Sequence, residues 1–117
     1  MSAEWIEFKG KKIIYVNYVG MNKVEMTEMV KKATQMILDA KSDEVLSLSN
    51  VTDCFFDKDL METIKAQGAI SLPHCKKAAV VGVTGIRSVF LSAANAFWPK
   101  SRKPFDTVEE AKNYLVE

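Results

Sequence analysis

The stretch AAVVGVTG, residues 78–85, decides the fold of this chain. Residues 78–83 are small and almost all apolar, a pattern typical of a strand that is covered on both faces. Apolar residues at helical spacing begin directly after the Thr84-Gly85 pair, and they end before Pro99. The stretch therefore predicts the central strand of an α/β sheet, followed by a tight turn and a helix.

The segments before this stretch predict a hairpin and a helix. Residues 5–9 alternate between apolar and polar types, and residues 12–18 are rich in β-branched and aromatic types. Together they predict two antiparallel strands. Residues 26–40 carry apolar side chains at spacings of three and four, and Asn22 with Glu25 forms a capping box before them.

The remaining segments complete an alternating pattern. Residues 44–51 predict a third strand, and Asp57 is the N-cap of a second helix. Residues 103–105 predict an edge strand because they include a proline, and Thr107 with Glu110 caps a last helix. The order β-β-α-β-α-β-α-β-α predicts an α/β fold with a mixed sheet of four or five strands flanked by helices.

The composition limits the class of protein. The chain has 117 residues, of which 48% are hydrophobic and 26% charged, so we expect one domain over residues 1–117. The net charge of +1 indicates no nucleic-acid partner, and no apolar run approaches the ~20 residues of a membrane span. Cys54 and Cys75 have neither metal-site nor disulfide spacing, which favours a reducing, cytoplasmic location without a cofactor.

Two loops follow the carboxyl ends of the predicted parallel strands, where α/β domains bind ligands. The first spans residues 49–59 and the second residues 84–87. We expect both loops at one edge of the sheet, where they would form a recognition surface. The candidate binding residues are Asn50, Thr52, Asp53, Asp57, Asp59, Thr84, Gly85 and Arg87.

The polar residues of these loops have more than one interpretation. Clustered carboxylates at Asp53, Asp57 and Asp59 could hold a divalent cation or act as acid and base. A helix N-cap with an acidic first turn explains them without a ligand and is favoured, so no metal ligand or catalytic residue is predicted. Thr84-Gly85 with Arg87 could bind a phosphate or carboxylate, although a simple strand-to-helix turn also explains that pair.

The basic residues are unevenly distributed. Residues 63–105 contain seven Lys or Arg and no Asp or Glu. We expect five of them at the amino-terminal edge of the parallel strands, opposite the two loops: Lys76, Lys77, Lys100, Arg102 and Lys103. Such an edge could attract an anionic partner, although solvated lysines in short loops are the favoured interpretation.

The third helix is apolar on more than one face. Arg87 is its only charged residue, and Leu91, Ala94 and Trp98 form a second apolar face beside the predicted inner stripe. A helix of this kind must bury more than one face. The last helix, a second copy of the chain in a homodimer, or an apolar ligand could cover the second face.

The motifs resemble the STAS domains, the anti-sigma-factor-antagonist fold, and most closely their SpoIIAA-like branch of small stand-alone bacterial proteins. The resemblance covers nearly the whole chain. It rests on residues 12–16, on residues 49–52 with Phe56-Asp57, on residues 79–85 and on residues 104–111. It implies a regulatory module that binds a partner kinase. Such a module changes state when a serine at the start of the second helix is phosphorylated.

The match fails at the phosphorylation site. Lys58 and Asp59 follow Asp57, and neither carries a hydroxyl group. Ser49 and Thr52 are the remaining hydroxyls of that loop. Folds related to the STAS domains include lipid-carrying Sec14-like domains, so the resemblance also makes an apolar ligand conceivable.

The sequence leads to two functional hypotheses. The first is a non-enzymatic regulatory or protein-interaction module that uses the two loops as its surface. The second is a carrier or sensor of a small apolar or amphipathic ligand, held beside the third helix with Arg87 or a helix N-terminus at its polar end. An enzyme comes third, because no nucleophile, base and orienting group occur together.

Overall fold

A computed structural model describes residues 2–117 and shows five strands and four helices in the predicted order. The elements are β1 (Ser2–Phe8), β2 (Lys11–Asn17), α1 (Lys23–Asp39), β3 (Val45–Asn50), α2 (Lys58–Ser71), a 3-10 turn (Leu72–His74), β4 (Cys75–Val81), α3 (Ile86–Phe97), β5 (Arg102–Phe105) and α4 (Val108–Val116).

The strands form one mixed sheet in the order β1-β2-β3-β4-β5. β1 and β2 pair antiparallel through a tight turn at Lys9 and Gly10, whose φ angles are 50° and 80°. Positive φ at both positions is what a two-residue hairpin turn requires. The other three strand pairs are parallel because a helix crosses over between them. The predicted α/β sheet is confirmed, with five strands.

The central strand is β3, so the prediction that residues 78–83 form the centre is wrong by one strand. The sequence of β3 is partly polar because it contains Ser47 and Ser49, which disfavours a central position. In the structure both serines are buried, with exposures of 3% and 6%. β4 and β5 also begin earlier than predicted, at Cys75 and Arg102.

The predicted helix starts are confirmed. Asn22 accepts a hydrogen bond from the Glu25 N–H at 2.9 Å, and the Glu25 carboxylate accepts one from the Asn22 N–H at 3.0 Å. Asp57 caps α2, and the Thr107 hydroxyl accepts from the Glu110 N–H at 3.1 Å at the start of α4. These bonds satisfy N–H groups that have no partner inside the helix.

Helices cover both faces of the sheet, with α1, α2 and α3 on one face and α4 on the other. Successive residues of each strand point to opposite faces. The face toward α1, α2 and α3 presents Ile14, Val16, Val45, Ser47, Ser49, Ala78, Val80 and Arg102. The face toward α4 presents Ile13, Leu46, Leu48, Ala79, Val81 and Phe105.

The predicted second apolar face of α3 is the one that packs inward. Ala94 and Trp98 are buried in the core of their own chain and Leu91 packs against it, so these three side chains are not free for the predicted contact with a second copy. A homodimer as such stays a prediction. The exposed side chains are Ile86 (66%), Val89 (66%) and Phe97 (59%). Both faces are apolar, so the hydrophobic pattern could not distinguish them. Contacts of Trp98 with α2, described below, fix the orientation.

The predicted basic edge is not a continuous surface. Four of its members lie within strands: Lys76, Lys77, Arg102 and Lys103. Lys77 donates to the Tyr114 carbonyl of α4 at 3.0 Å, and Lys100 donates to the Cys75 carbonyl at 2.7 Å. Arg102 turns to the opposite face from Lys77, where it reaches the site described next.

Candidate functional site

A cavity of about 100 Å³ lies between the sheet and helices α1, α2 and α3. Its walls are apolar side chains of the helices and of the loop after β3: Met26, Val30, Ala33, Ile37, Phe55, Phe56, Met61, Ile64, Leu91 and Trp98. Its polar lining consists of Tyr18, Thr34, Ser47, Ser49, Gln67, Ser71, Arg87 and Arg102. Within residues 2–117, no Asp or Glu lines this space.

Arg102 reaches the floor of the cavity because of the strand register. Ser47 of β3, Ala78 of β4 and Arg102 of β5 are neighbours in one row across the sheet, so their side chains share a face. The short side chain of Ala78 leaves space for the arginine to cross β4. Its Nη1 donates a hydrogen bond to the Ser49 Oγ of β3 at 3.3 Å. An edge strand thus delivers a cation to the middle of the sheet.

The Arg102 guanidinium has few partners in its own chain. It lies 5.2 Å from the centre of the Trp98 ring, and its Nε is buried without a hydrogen-bond partner. No carboxylate of the described residues forms an ion pair with it. Burial lowers the pKa of Arg102, and burial raises the pKa of Tyr18 to about 12. Because an arginine keeps its proton, the cavity floor carries a charge that no carboxylate within residues 2–117 neutralises.

Trp98 joins α2 to α3 and forms the wall beside Arg102. Its Nε1 donates to the Lys65 carbonyl at 2.9 Å. The ring lies against Gly68 of α2, where a Cβ would come 2.5 Å from the Trp98 Nε1. Only glycine allows the ring this close to the helix backbone. Gly68 therefore determines where Trp98 lies, and Trp98 in turn supports Arg102.

A second arginine, Arg87, lines the cavity at the start of α3. Its Nη2 donates to the Cys54 carbonyl at 2.6 Å, and its guanidinium lies 5.7 Å from the centre of the Phe56 ring. Phe56 packs edge to face on Phe90 at 4.9 Å. The Nε of Arg87 is also buried without a partner. Arg87 therefore connects the loop after β3 to α3, and it brings the two predicted loops to the same edge of the sheet.

Asn50 and Thr52, two predicted binding residues, hold the loop after β3 in place. The Asn50 side-chain oxygen accepts from the Thr52 N–H at 3.2 Å and from the Thr52 hydroxyl at 2.7 Å. The Asn50 amide donates to the Tyr15 hydroxyl at 3.2 Å. Gly82, with φ of 91°, lies so close that a Cβ would come 2.6 Å from the Thr52 backbone nitrogen. The side chains of Asn50 and Thr52 thus form hydrogen bonds to partners in their own chain.

The acidic residues of this loop lie outside the cavity lining. The Asp57 carboxylate accepts from the Leu60 N–H at 2.7 Å, which confirms the N-cap. Lys23 lies 2.9 Å from Asp57 and 3.3 Å from Asp59. The hydrogen bond from Leu60, and then the contact with Lys23, lower the pKa of Asp57. Asp53 is exposed and has a φ of 54°.

Thr84 and Gly85 form an exposed turn before α3 and do not line the cavity. Gly85 has a φ of 59°, and the Thr84 carbonyl accepts from the Arg87 N–H at 3.2 Å. Of the eight predicted binding residues, Arg87 alone lines the cavity in the part of the chain that the structure describes.

The sequence did not indicate Ser47, Ser49 or Arg102 as cavity residues: Ser49 was expected as a loop hydroxyl and Arg102 as part of a basic edge. A hydroxyl pair at alternate positions of a buried strand is the signal that could have identified them, because both side chains must point to one covered face. Arg102 carried no such signal, since a cation before a short edge strand is usually solvated.

Residues 2–117 show neither a metal-ligand cluster nor a membrane-spanning helix. No group of three or more His, Cys, Asp or Glu side chains is arranged to hold a metal ion. Over the same residues, no helix combines the length and apolar character needed to cross a membrane.

Comparison with known proteins supports the fold. No protein-family model and no curated protein matches the sequence. The chain is similar to the crystal structure of an uncharacterized DUF3478-family protein with a SpoIIAA-like fold from Shewanella loihica. The TM-score is 0.75, the identity is 16%, and the match covers 97% of this chain and 92% of the other. The chain therefore has a SpoIIAA-like fold, which confirms the resemblance at the level of the fold.

Proposed function

We propose that this domain is a non-enzymatic binding module that holds a small amphipathic molecule in the cavity between the sheet and α1, α2 and α3. One observation carries the proposal: apolar walls surround a floor that holds the part-buried Arg102, whose Nε is fully buried, and the buried side chains of Ser47 and Ser49. A mostly apolar lining with a few convergent polar groups is typical of small-molecule sites.

The enclosed volume limits the part of the ligand that fits inside. The cavity of about 100 Å³ is smaller than an engineered cavity of about 150 Å³ that binds benzene. Its part-exposed lining residues, among them Phe55, Val83, Arg87 and Leu91, border the side facing α3 and the two loops. The cavity therefore takes a polar head and a few carbons, while a longer chain extends past these residues.

A protein-interaction surface at the two loops is the second candidate. Two exposed residues support this candidate surface: Asp53 and Phe55, which is 39% exposed. Both lie at the same edge of the sheet as the exposed Thr84-Gly85 turn. An Asp53→Asn exchange separates the two functions. It removes a charge from the loop surface and leaves the cavity lining unchanged, so it weakens protein capture without affecting ligand binding.

Native mass spectrometry of freshly purified protein tests the ligand proposal. The unaltered chain is expected to carry a noncovalent passenger that is also found in an organic extract of the same sample. Ser47→Leu places a larger apolar side chain on the cavity floor, so the passenger should be absent. Ser92→Leu makes the same exchange at an exposed position of α3 and should retain it. A bare chain in every preparation, together with no rise in melting temperature on addition of 1-octanol, contradicts the proposal.

A further inference from the structure

We infer that the cavity ligand is an aliphatic monocarboxylate, and that its carboxylate binds the Arg102 guanidinium on the floor of the cavity. This inference rests on the proposed function and adds the chemical class of the ligand. It follows from the charge, the hydrogen bonding and the position of one side chain.

The charge of the floor requires an anion. Residues 63–105 contain no Asp or Glu, and no carboxylate of the described chain lines the cavity or pairs with Arg102. A buried charge without a partner destabilises a protein, and a partner that arrives with opposite charge removes that penalty. A neutral ligand would leave the penalty in place.

The Arg102 guanidinium also lacks hydrogen-bond partners for some of its donors. A guanidinium has five N–H donors in a planar fork. One Nη1 donor goes to Ser49, and the buried Nε has no partner. Ser47 adds a buried side chain in the same row of the sheet. A planar carboxylate matches the fork with two parallel hydrogen bonds. Ser47 adds a hydroxyl to the same cavity lining.

The position of Arg102 makes it the anchor rather than Arg87. Arg87 already donates a 2.6 Å hydrogen bond to the Cys54 carbonyl, which fixes α3 to the loop after β3. Arg102 donates one side-chain hydrogen bond, to the Ser49 hydroxyl at 3.3 Å. Because a hydroxyl can rotate, this bond can be given up when a ligand binds the guanidinium. A head at Arg102 places the chain among Met26, Val30 and Met61, where each buried methylene contributes about 0.8 kcal/mol.

A carboxylate fits this floor better than a phosphate. One guanidinium and two hydroxyl groups balance a single negative charge with two oxygens. A phosphate brings additional charge and a third acceptor oxygen, and it needs further donors. Arg87, the other cation of the lining, donates its hydrogen bond to the Cys54 carbonyl. The remaining polar lining residues Tyr18, Thr34, Gln67 and Ser71 bring no further positive charge.

Trp98 provides the readout, because its ring lies next to Arg102. Trp5 is 40% exposed on β1, so the titrations use a Trp5→Phe background in which Trp98 is the only tryptophan. Fluorescence titration compares octanoate with 1-octanol and octanamide, which share the chain length but carry no charge. We expect octanoate to bind about tenfold more tightly than either, as charge-assisted hydrogen bonds imply.

Variants assign the preference to one residue. Arg102→Met should reduce octanoate affinity to that of 1-octanol and leave 1-octanol binding unchanged. Arg102→Lys keeps the charge without the planar fork, and we expect a preference of intermediate size. Lys76→Met removes one exposed charge from β4 and should keep the full preference. If Arg102→Met does not fold, the comparison of octanoate with octanamide on the Trp5→Phe chain still decides.

The outcomes separate this inference from the proposed function. Equal binding of octanoate and the neutral probes overturns the carboxylate anchor but leaves a ligand-binding cavity. Loss of the preference in Arg87→Met but not in Arg102→Met, or tighter binding of octyl phosphate than of octanoate, also overturns it. Absence of binding by every probe overturns the proposed function itself.

Discussion

Arg102 of the edge strand β5 donates a hydrogen bond to Ser49 of the central strand β3 at 3.3 Å, across β4, which lies between them. The two residues are 53 positions apart in the sequence. The small Ala78 of β4 gives the arginine space to cross. This arrangement places a cation where parallel sheets with helices on both faces normally bury aliphatic side chains.

Arg102→Met should raise the free energy of unfolding of the ligand-free protein. The change removes an unpaired buried charge and an unsatisfied N–H, and it keeps a long apolar side chain against Trp98. We expect a gain of about 1 kcal/mol, measured by urea denaturation. Lys76→Met, at an exposed position, should change stability by less than about 0.5 kcal/mol. A loss of stability in Arg102→Met would show that Arg102 is a structural residue and not a ligand anchor.

Gly68→Ala should destabilise the protein, although Gly→Ala exchanges in helices usually stabilise. The new Cβ would come 2.5 Å from the Trp98 Nε1 and 2.6 Å from its Cε2. We expect a loss of about 1 to 3 kcal/mol and a shift of the Trp98 emission maximum in the Trp5→Phe background. In a double-mutant cycle, Trp98→Leu removes the clash, so Gly68→Ala should then cost little. Additive effects would mean that Trp98 does not rest on Gly68.

Tyr18 should make the fold sensitive to alkaline pH. Burial raises its pKa from 10.0 to about 12, so the folded state favours the protonated phenol. The stabilisation is complete below pH 10, the pKa in the unfolded chain, and is lost between about pH 10 and 12. At ~1.4 kcal/mol per pH unit, the loss approaches about 3 kcal/mol.

Tyr18→Phe removes this dependence. Urea denaturation between pH 9 and 12 should show a smaller decline for Tyr18→Phe than for the unaltered protein. Tyr114→Phe, on the part-exposed α4 surface, is the matched control and should follow the unaltered protein. Parallel curves for all three proteins would contradict the burial of the Tyr18 phenol.

Asp57 should make the fold sensitive to acid. The Leu60 N–H and Lys23 hold the pKa of Asp57 below its ordinary value of 3.8. A carboxyl of this kind stabilises the fold above pH 3.8, and the stabilisation disappears as pH falls through the lower pKa of the folded state. Asp57→Asn should therefore flatten the stability curve below pH 4 in thermal melts. Asp106→Asn, an exposed carboxylate after β5, serves as control; equal flattening by both would contradict the capping role.

Local patterns in the sequence predicted most of the fold. The caps at Asn22, Asp57 and Thr107 and the edge position of Pro104 each follow from the chemistry of one or two residues. The structure confirms all four. Local signals did not show that β3 is the central strand. Buried serines are uncommon, so Ser47 and Ser49 suggested a strand with polar surroundings.

The cavity was not predictable from local patterns, because its parts are distant in the sequence. Arg102 reaches Ser49 only through the register of three strands, and the inward face of α3 depends on the contact of Trp98 with Gly68. Helical periodicity alone could not decide between two apolar faces. The predicted apolar ligand beside α3 stays a hypothesis, now with a defined cavity.

The most direct test of ligand binding is a two-dimensional amide NMR titration of the isotope-labelled protein with 1-octanol. We predict saturable shifts at Ser47, Ser49, Gly68 and the Trp98 indole N–H, with little change at Ala111 of α4, which is buried on the other face of the sheet. Shifts confined to the exposed side of α3, at Ile86, Val89 and Phe97, would show surface adsorption and contradict a ligand-binding cavity.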